Sequence, residues 1–342
     1  MGFASLVGQP DLKVRLGSIL KGEPGHAYIL SGPLGIGKST FAQVFAQALL
    51  CQDPTPDGGC GMCDSCRHFS HQAHPDYRTL LLDPADKVIK VERVRQTIQS
   101  DIALRPQFGR RKVYLVDADF LNEQGQNTLL KSLEEPPDFV TFILMASGLE
   151  RLLPTVLSRL TVLPLQRYND EEVVAILTRE WQGSGQSMPE PESLAFYARY
   201  ANGVPGAAIH LLTSPWFADL RQETIDFYHQ IGTFSRSRML TTGFGFFDAN
   251  RTRADVLLDI LASLVRDQIV LHMTGEPRHL TNPDQLDRLA VPDESKRQAA
   301  IPGLMRAAAA ITAARRGLAL NASFEGLACH LLLTLRKELV HA

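Results

Sequence analysis

The sequence predicts an α/β domain with a mainly parallel sheet, followed by two all-helical regions. Three observations predict it. A glycine-rich loop sits between a short apolar run and an amphipathic stretch. Short apolar runs then alternate with helical patterns up to about residue 166. From Asn169 onward only helical spacing remains. The 342 residues exceed what one ordinary core supports, so two or three domains are expected.

The first element is the run His26-Ala-Tyr-Ile-Leu30, read as a buried strand. Gly32-Pro-Leu-Gly-Ile-Gly-Lys-Ser39 follows and satisfies G-x-x-x-x-G-K-[ST], the phosphate-binding loop. Behind it Phe41, Val44, Phe45, Ala48 and Leu49 recur at helical spacing. Glycines at Gly32, Gly35 and Gly37 let backbone N–H groups approach phosphate oxygens, and the helix start adds its positive dipole end. Lys38 would reach the terminal phosphates, the Ser39 hydroxyl would ligate Mg²⁺, and Thr40 continues the site. A chance glycine turn would not keep strand, loop, Lys-Ser and helix in register.

Cys51, Cys60, Cys63 and Cys66 come next, spaced C-x8-C-x2-C-x2-C. Two tight Cys-x-x-Cys steps aim thiolates at one metal ion, and four thiolates complete a tetrahedral zinc shell. The flexible stretch Gln52–Gly59 can fold back to bring Cys51 in. Disulfides are the competing explanation, but a reducing compartment disfavours them. A redox pair would leave two cysteines unexplained. A closed Cys₄ set implies zinc acting in folding, within a module at 51–66 inserted into the α/β domain. Cys329 reads as an ordinary helix residue.

The remaining strands are expected at Arg78–Leu82, Val113–Asp117, Phe139–Met145 and Thr161–Leu165. Lys112-Val-Tyr-Leu-Val-Asp117 ends in an acid, the pattern that supplies a Mg²⁺-coordinating Asp. Where many ATPases place Glu directly after it, Ala118 stands here. Asp119 would share the face of Asp117 if the strand continued, but the chain is leaving the sheet, so it is not read as a base. Losing a general base costs about 10²–10⁴-fold in rate. Asn122 caps a helix whose stripe is Leu129, Leu130 and Leu133, ended by Pro136 and Pro137. Arg159, a lone Arg at a helix end, pairs with a carboxylate or a carbonyl in the plain reading.

A helix starts at Asp170 after the Asn169 cap, a second fits Pro191–Tyr200, and a third follows Gly203-Val-Pro-Gly206. Beyond residue 215 the best helical segments are Asp255–Leu271, Gly303–Leu318 and Phe324–Leu339. Ile231–Asn250 and Gly275–Pro292 read as connections.

Net charge is −2, from 35 basic and 37 acidic side chains, so no global pull toward nucleic acid follows. The basic cluster Arg105, Arg110, Arg111 and Lys112 reads as a solvated loop before a strand, with a zinc-dependent nucleic-acid reader as the rival. No run of about 18 apolar residues exists, so no transmembrane helix is expected. Met1-Gly-Phe-Ala-Ser lacks a secretory pattern, and position six, Leu, breaks the myristoylation pattern. A cytoplasmic protein is expected.

The His26-Ala-Tyr strand, Gly32–Thr40, the four cysteines, His74-Pro-Asp76, Leu129-Leu-Lys-Ser-Leu-Glu-Glu-Pro-Pro137 and Leu157-Ser-Arg159 together resemble the bacterial clamp-loader branch of the AAA+ ATPases. The resemblance is clear from residue 3 to about 214; the remainder matches in length and character only. It implies an AAA+ nucleotide-binding domain (1–166), a helical lid (167–214) and an all-α collar that forms a pentamer (215–342). It implies gamma/tau and delta subunits of DNA polymerase III as partners in a hetero-pentamer, and the sliding clamp and primed DNA as what that complex handles. The hydrolysing gamma/tau subunit normally carries Asp-Glu on the metal strand and an Arg in the lid. Here Ala118 and Gly206 take those places, which looks like a weakly or non-hydrolysing subunit. Lys38 and Ser39 are nonetheless retained, which allows ATP or ADP with Mg²⁺. Family logic makes Arg159 a finger acting in trans on a neighbour's phosphates, an effect worth about 10³–10⁵ where measured. Leu160 stands where Cys is usual, a packing change. The alternative is an active gamma/tau-like ATPase.

Overall fold

In a computed structural model, residues 2–183, 188–291, 293–320 and 322–339 are described. The chain packs as two compact units, Met1–Met188 with Ala201–Ala208, and Pro189–Tyr200 with Ile209–Ala342.

The first unit holds a five-stranded, wholly parallel sheet in the order β2-β3-β4-β1-β5. The strands are β1 (Ala27–Ser31), β2 (Tyr77–Leu80), β3 (Lys112–Asp117), β4 (Val140–Ala146) and β5 (Thr161–Pro164). Each lies within one or two residues of its apolar run. Every residue of β1 and β4 is buried, as expected of central strands covered on both faces. In register, Asp117 faces Met145 and Ser31 faces Ala146, so the carboxyl ends of β3, β4 and β1 lie side by side. Loops at that edge of a doubly covered sheet are where ligands bind.

The helices of this unit are α1 (Pro10–Lys21), α2 (Lys38–Leu50), α3 (Asp64–Ser70), α4 (Val91–Val94), α5 (Glu123–Glu134), α6 (Pro154–Leu157) and α7 (Asp170–Gln182). The expected caps form. Asn122 Oδ1 accepts the Gly125 N–H, and Asn169 with Glu172 makes a reciprocal capping box. The cysteine segment lies between α2 and β2, as expected of an insertion. Beyond β3 the strand does not continue: Ala118–Phe120 is a 3₁₀ turn.

The remaining helices are α8 (Pro191–Tyr200), α9 (Pro205–Leu212), α10 (Pro215–Gln230), α11 (Arg236–Arg238), α12 (Phe244–Ala249), α13 (Ala254–Thr274), α14 (Leu286–Leu289), α15 (Glu294–Ala319) and α16 (Phe324–Leu339). Residues 231–250, read as a connection, are instead mostly helical, with a π-helical turn at Met239–Gly243. Phe234, Met239 and Phe247 are buried in the core of the second unit, and that burial overrides the Gly/Thr/Ser composition. Helix α15 starts nine residues before Gly303, with Pro302 inside it; the Asp293 carboxylate accepts the N–H groups of Ser295 and Lys296 and fixes the earlier start. The stretch after Gly275 is tied down by Asp267, fully buried, which accepts from Thr281 N, Asn282 N and Asn282 Nδ2.

Candidate functional site

The phosphate loop has the backbone its sequence requires. Gly32, Gly35 and Gly37 have φ of +149°, +81° and +104°, a region that favours glycine, and Gly37 is the residue from which α2 departs. Ser39 and Thr40 are exposed in the first turn of α2. Lys38 is buried, and its Nζ donates to Gly32 O at 2.7 Å, Pro33 O at 3.2 Å and Ser147 Oγ at 3.3 Å. Burial pushes the Lys38 ammonium below its usual range, while Asp119 and then Asp117 pull it back up.

Asp117 ends β3 beside this loop. Burial pushes its carboxyl up, the Asp119 charge adds to that, and Lys38 opposes it. Asp119 is fully engaged: its carboxylate accepts the Ser147 N–H at 2.8 Å and 2.9 Å and the Ser147 hydroxyl at 2.6 Å. It thereby braces the residue that follows β4. Sequence reasoning missed Ser147, which joins Lys38 to Asp119. Only its place two residues past the fourth apolar run hinted at a position on this edge.

The segment Gly203-Val-Pro-Gly206 reaches the same loop. The Gly206 N–H donates to Gly35 O at 2.9 Å, and Tyr168 N donates to Gly203 O at 3.0 Å. A Cβ placed on Gly37 would lie 3.6 Å from the Tyr168 hydroxyl. A cleft of about 130 Å³, lined by Gln9, Pro10, Gln166, Arg167 and Glu172 among others, adjoins Tyr168 in sequence. Gln9 holds it by exchanging side-chain hydrogen bonds with the backbone of Gln166.

Arg159 lies elsewhere. It precedes β5 by two residues, at the amino ends of the parallel strands, whereas the phosphate loop, Asp117 and Ser147 all follow carboxyl ends. Its guanidinium bonds Glu134 Oε1 at 2.7 Å, Thr155 O at 2.6 Å and Ser158 Oγ at 3.3 Å, and a third of the side chain is exposed. Both a carboxylate and a carbonyl are thus its partners.

The four cysteine sulfurs lie within 4.8 Å of one another. Cys51 Sγ and Cys63 Sγ are 3.8 Å apart, close to the edge of about 3.8 Å that a tetrahedron with metal–sulfur bonds of about 2.3 Å has. The backbone N–H groups of Cys60, Cys63 and Cys66 donate to Cys51, Cys60 and Cys63 sulfur. Such donors stabilise thiolates: the N–H groups of Met62 and Cys63 pull the Cys60 thiol down to about 6. Burial pushes Cys66 and Cys51 up. The donor set and spacing suit a four-coordinate thiophilic metal.

His74 and Asp76 brace this module. The Asp76 N–H donates to His74 Nδ1 at 3.1 Å, so Nε2 carries the proton and meets Ser65 Oγ at 2.9 Å. Ser65 Oγ in turn donates to Leu50 O at 2.6 Å, at the end of α2. Asp76 carboxylate oxygens accept the N–H groups of Gln107 and Phe108. Of the basic cluster, Lys112 is buried against Asp101 at 3.1 Å and Arg111 bonds Thr141 Oγ1, which leaves Arg105 and Arg110 exposed.

A parallel α/β sheet with a glycine-rich loop between its first strand and the helix that follows has a P-loop fold of the AAA+ kind. The particular kinship lies in residues 8–169, which match the family described as DNA polymerase III, delta subunit. The delta' subunit of Pseudomonas aeruginosa DNA polymerase III is 40% identical over 139 residues, 41% of this chain and 42% of that protein. The delta' subunit of Escherichia coli is 31% identical over 59% of each chain, and the Escherichia coli tau subunit 31% identical over 76% of this chain and 40% of its own. The chain spans roughly two fifths to three fifths of the length of these relatives. Over these residues the chain is similar to clamp-loader subunits of DNA polymerase III.

Proposed function

We propose that this chain works as a delta-prime-type clamp-loader subunit that lends Arg159 to a neighbour's nucleotide while turning over little of its own. The observation that carries this reading is the separation of the two functions on one sheet. Arg159 stands at the amino edge, where it cannot serve its own loop, which is at the carboxyl edge. The absence of Glu at Ala118 and the commitment of Asp119 to Ser147 support weak turnover. The partners are gamma/tau and delta subunits in a hetero-pentamer that places the sliding clamp on primed DNA in the cytoplasm. No helix among the described residues is long and apolar enough to cross a membrane.

The loop residues suit a nucleotide: Gly32, Gly35, Gly37, Lys38, Ser39 and Thr40 would hold its phosphates, and Ser39 with Asp117 would hold Mg²⁺. Bound ATP or ADP would supply phosphate charge for Lys38 to neutralise. Cys51, Cys60, Cys63 and Cys66 would hold zinc, whose chemistry there is to fasten the module. Domain limits at 166 and 214, with a collar from 215, complete the proposal.

A second reading, an active gamma/tau-like ATPase, is favoured by the intact Lys38-Ser39 and by the similarity to tau. Steady-state ATPase of the isolated chain decides. Turnover at background level supports the delta-prime reading, whereas robust turnover abolished by Lys38→Ala sinks it.

A further inference from the structure

We infer that Gly206 is a positioning residue for nucleotide binding: its backbone latches the phosphate loop in the form that keeps Lys38 turned inward, and bound nucleotide releases the latch. The inference rests on the reading of Gly32–Thr40 as a nucleotide site but not on the choice between subunit types. The first N–H groups of a helix have no partner within it. Gly206 is the second residue of α9, and its N–H is satisfied by Gly35 O at 2.9 Å. The two backbones are in direct contact. A Cβ on Gly206 would lie 2.7 Å from Gly35 Cα and 2.8 Å from Gly35 O, and a Cβ on Gly35 would lie 3.2 Å from Gly206 Cα. Any side chain at 206, including the Arg of hydrolysing relatives, therefore forces the latch open.

Lys38 clasps the same loop. An ammonium has three N–H donors, and Lys38 Nζ has three acceptors: Gly32 O, Pro33 O and Ser147 Oγ. Ser147 is itself fixed by Asp119. To meet phosphate oxygens Lys38 must leave loop carbonyls, and the freed loop must re-form around the phosphates. Gly35 moves with that loop, so its carbonyl leaves the Gly206 N–H. The latch and the nucleotide then draw on one loop conformation in opposite senses, and by linkage whatever weakens one strengthens the other.

Amide hydrogen exchange on the full chain tests this, with Mg-ADP as the probe. In the free protein the Gly206 amide is expected to be protected although it lies in a first helical turn. Saturating Mg-ADP should speed its exchange by about tenfold. Gly206→Ala, with its fold checked by circular dichroism, should bind Mg-ADP about threefold or more tighter than the parent. Should that variant not fold, the exchange measurement on the parent still decides. A Gly206 amide that exchanges freely without nucleotide, or one that Mg-ADP protects further, overturns the latch while leaving the nucleotide site standing. Mg-ADP that binds neither parent nor variant at millimolar concentration overturns the nucleotide reading itself.

Discussion

The two edges of the parallel sheet treat charge in opposite ways. At the carboxyl edge Lys38, Asp117, Asp119 and Ser147 face one another, and two of the three charges are committed to internal hydrogen bonds. At the amino edge Arg159 is tethered by Glu134 and a carbonyl but remains one-third exposed. A nucleotide site needs its groups buried and converging. A group offered to another molecule needs only to be oriented and reachable. Under the proposed function, this contrast is what would let one domain turn over little nucleotide itself and still serve a neighbour's site.

The largest expected effect tests the exposed edge. In the complex assembled with gamma/tau and delta subunits, Arg159→Ala should lower turnover at the neighbouring site it reaches by about 10³-fold or more, seen as a fall in the ATPase of the complex. Mg-ADP binding by the isolated variant should stay unchanged, because Arg159 touches nothing at the carboxyl edge. Turnover equal to that of the unmodified complex would remove the trans role and erase the contrast.

The next effect concerns the cysteine module, at the end of α2 away from the phosphate loop. Cys66→Ser should abolish stoichiometric zinc, measured in the purified protein by a colorimetric chelator. It should also lower the melting temperature by roughly 10 °C, the size expected for a closed structural site in a domain of this length. A variant that keeps both its zinc and its melting temperature would show that the four thiols are not a metal site.

The smallest effect tests a structural pair just before β3. Burial works to raise the Asp101 carboxyl, but hydrogen bonds from Tyr114 and Lys112 and the Arg78 charge outweigh it and hold the group below the usual carboxylate range. A carboxyl depressed in the folded state contributes stability above its unfolded pKa of about 4 and loses it as pH falls through the folded value. Asp101→Asn should cost about 1–2 kcal/mol at pH 7, by urea unfolding, with the difference shrinking below pH about 4. A difference that does not change with pH would mean that the charge is not what stabilises.

The candidate residues of both edges were legible because their patterns are local in sequence. The loop, its flanking strand and helix, the cysteines and all five strands are consecutive patterns, and each appears where its spacing places it. Ser147 and the true role of Asp119 were not legible, because they follow from two strand ends meeting across the sheet. Gly206 was readable as a missing Arg but not as a backbone contact, since the Gly35 carbonyl that it meets is 171 positions earlier. In the second unit, Ile231–Asn250 misled for a related reason. Its glycines and hydroxyls suggest a connection, and only the burial of Phe234, Met239 and Phe247 makes it helical core.

Helix α2 starts at the phosphate loop and ends where Ser65 grips the Leu50 carbonyl, with Cys51 next in line. Thirteen residues make a rod of about 20 Å. Anchored at one tip by the loop and at the other by a knot that a metal would fasten, such a rod would have little freedom to tilt. Stripping the metal should therefore be felt at the far tip, as a slackening of the nucleotide pocket that no ligand to the nucleotide has undergone directly.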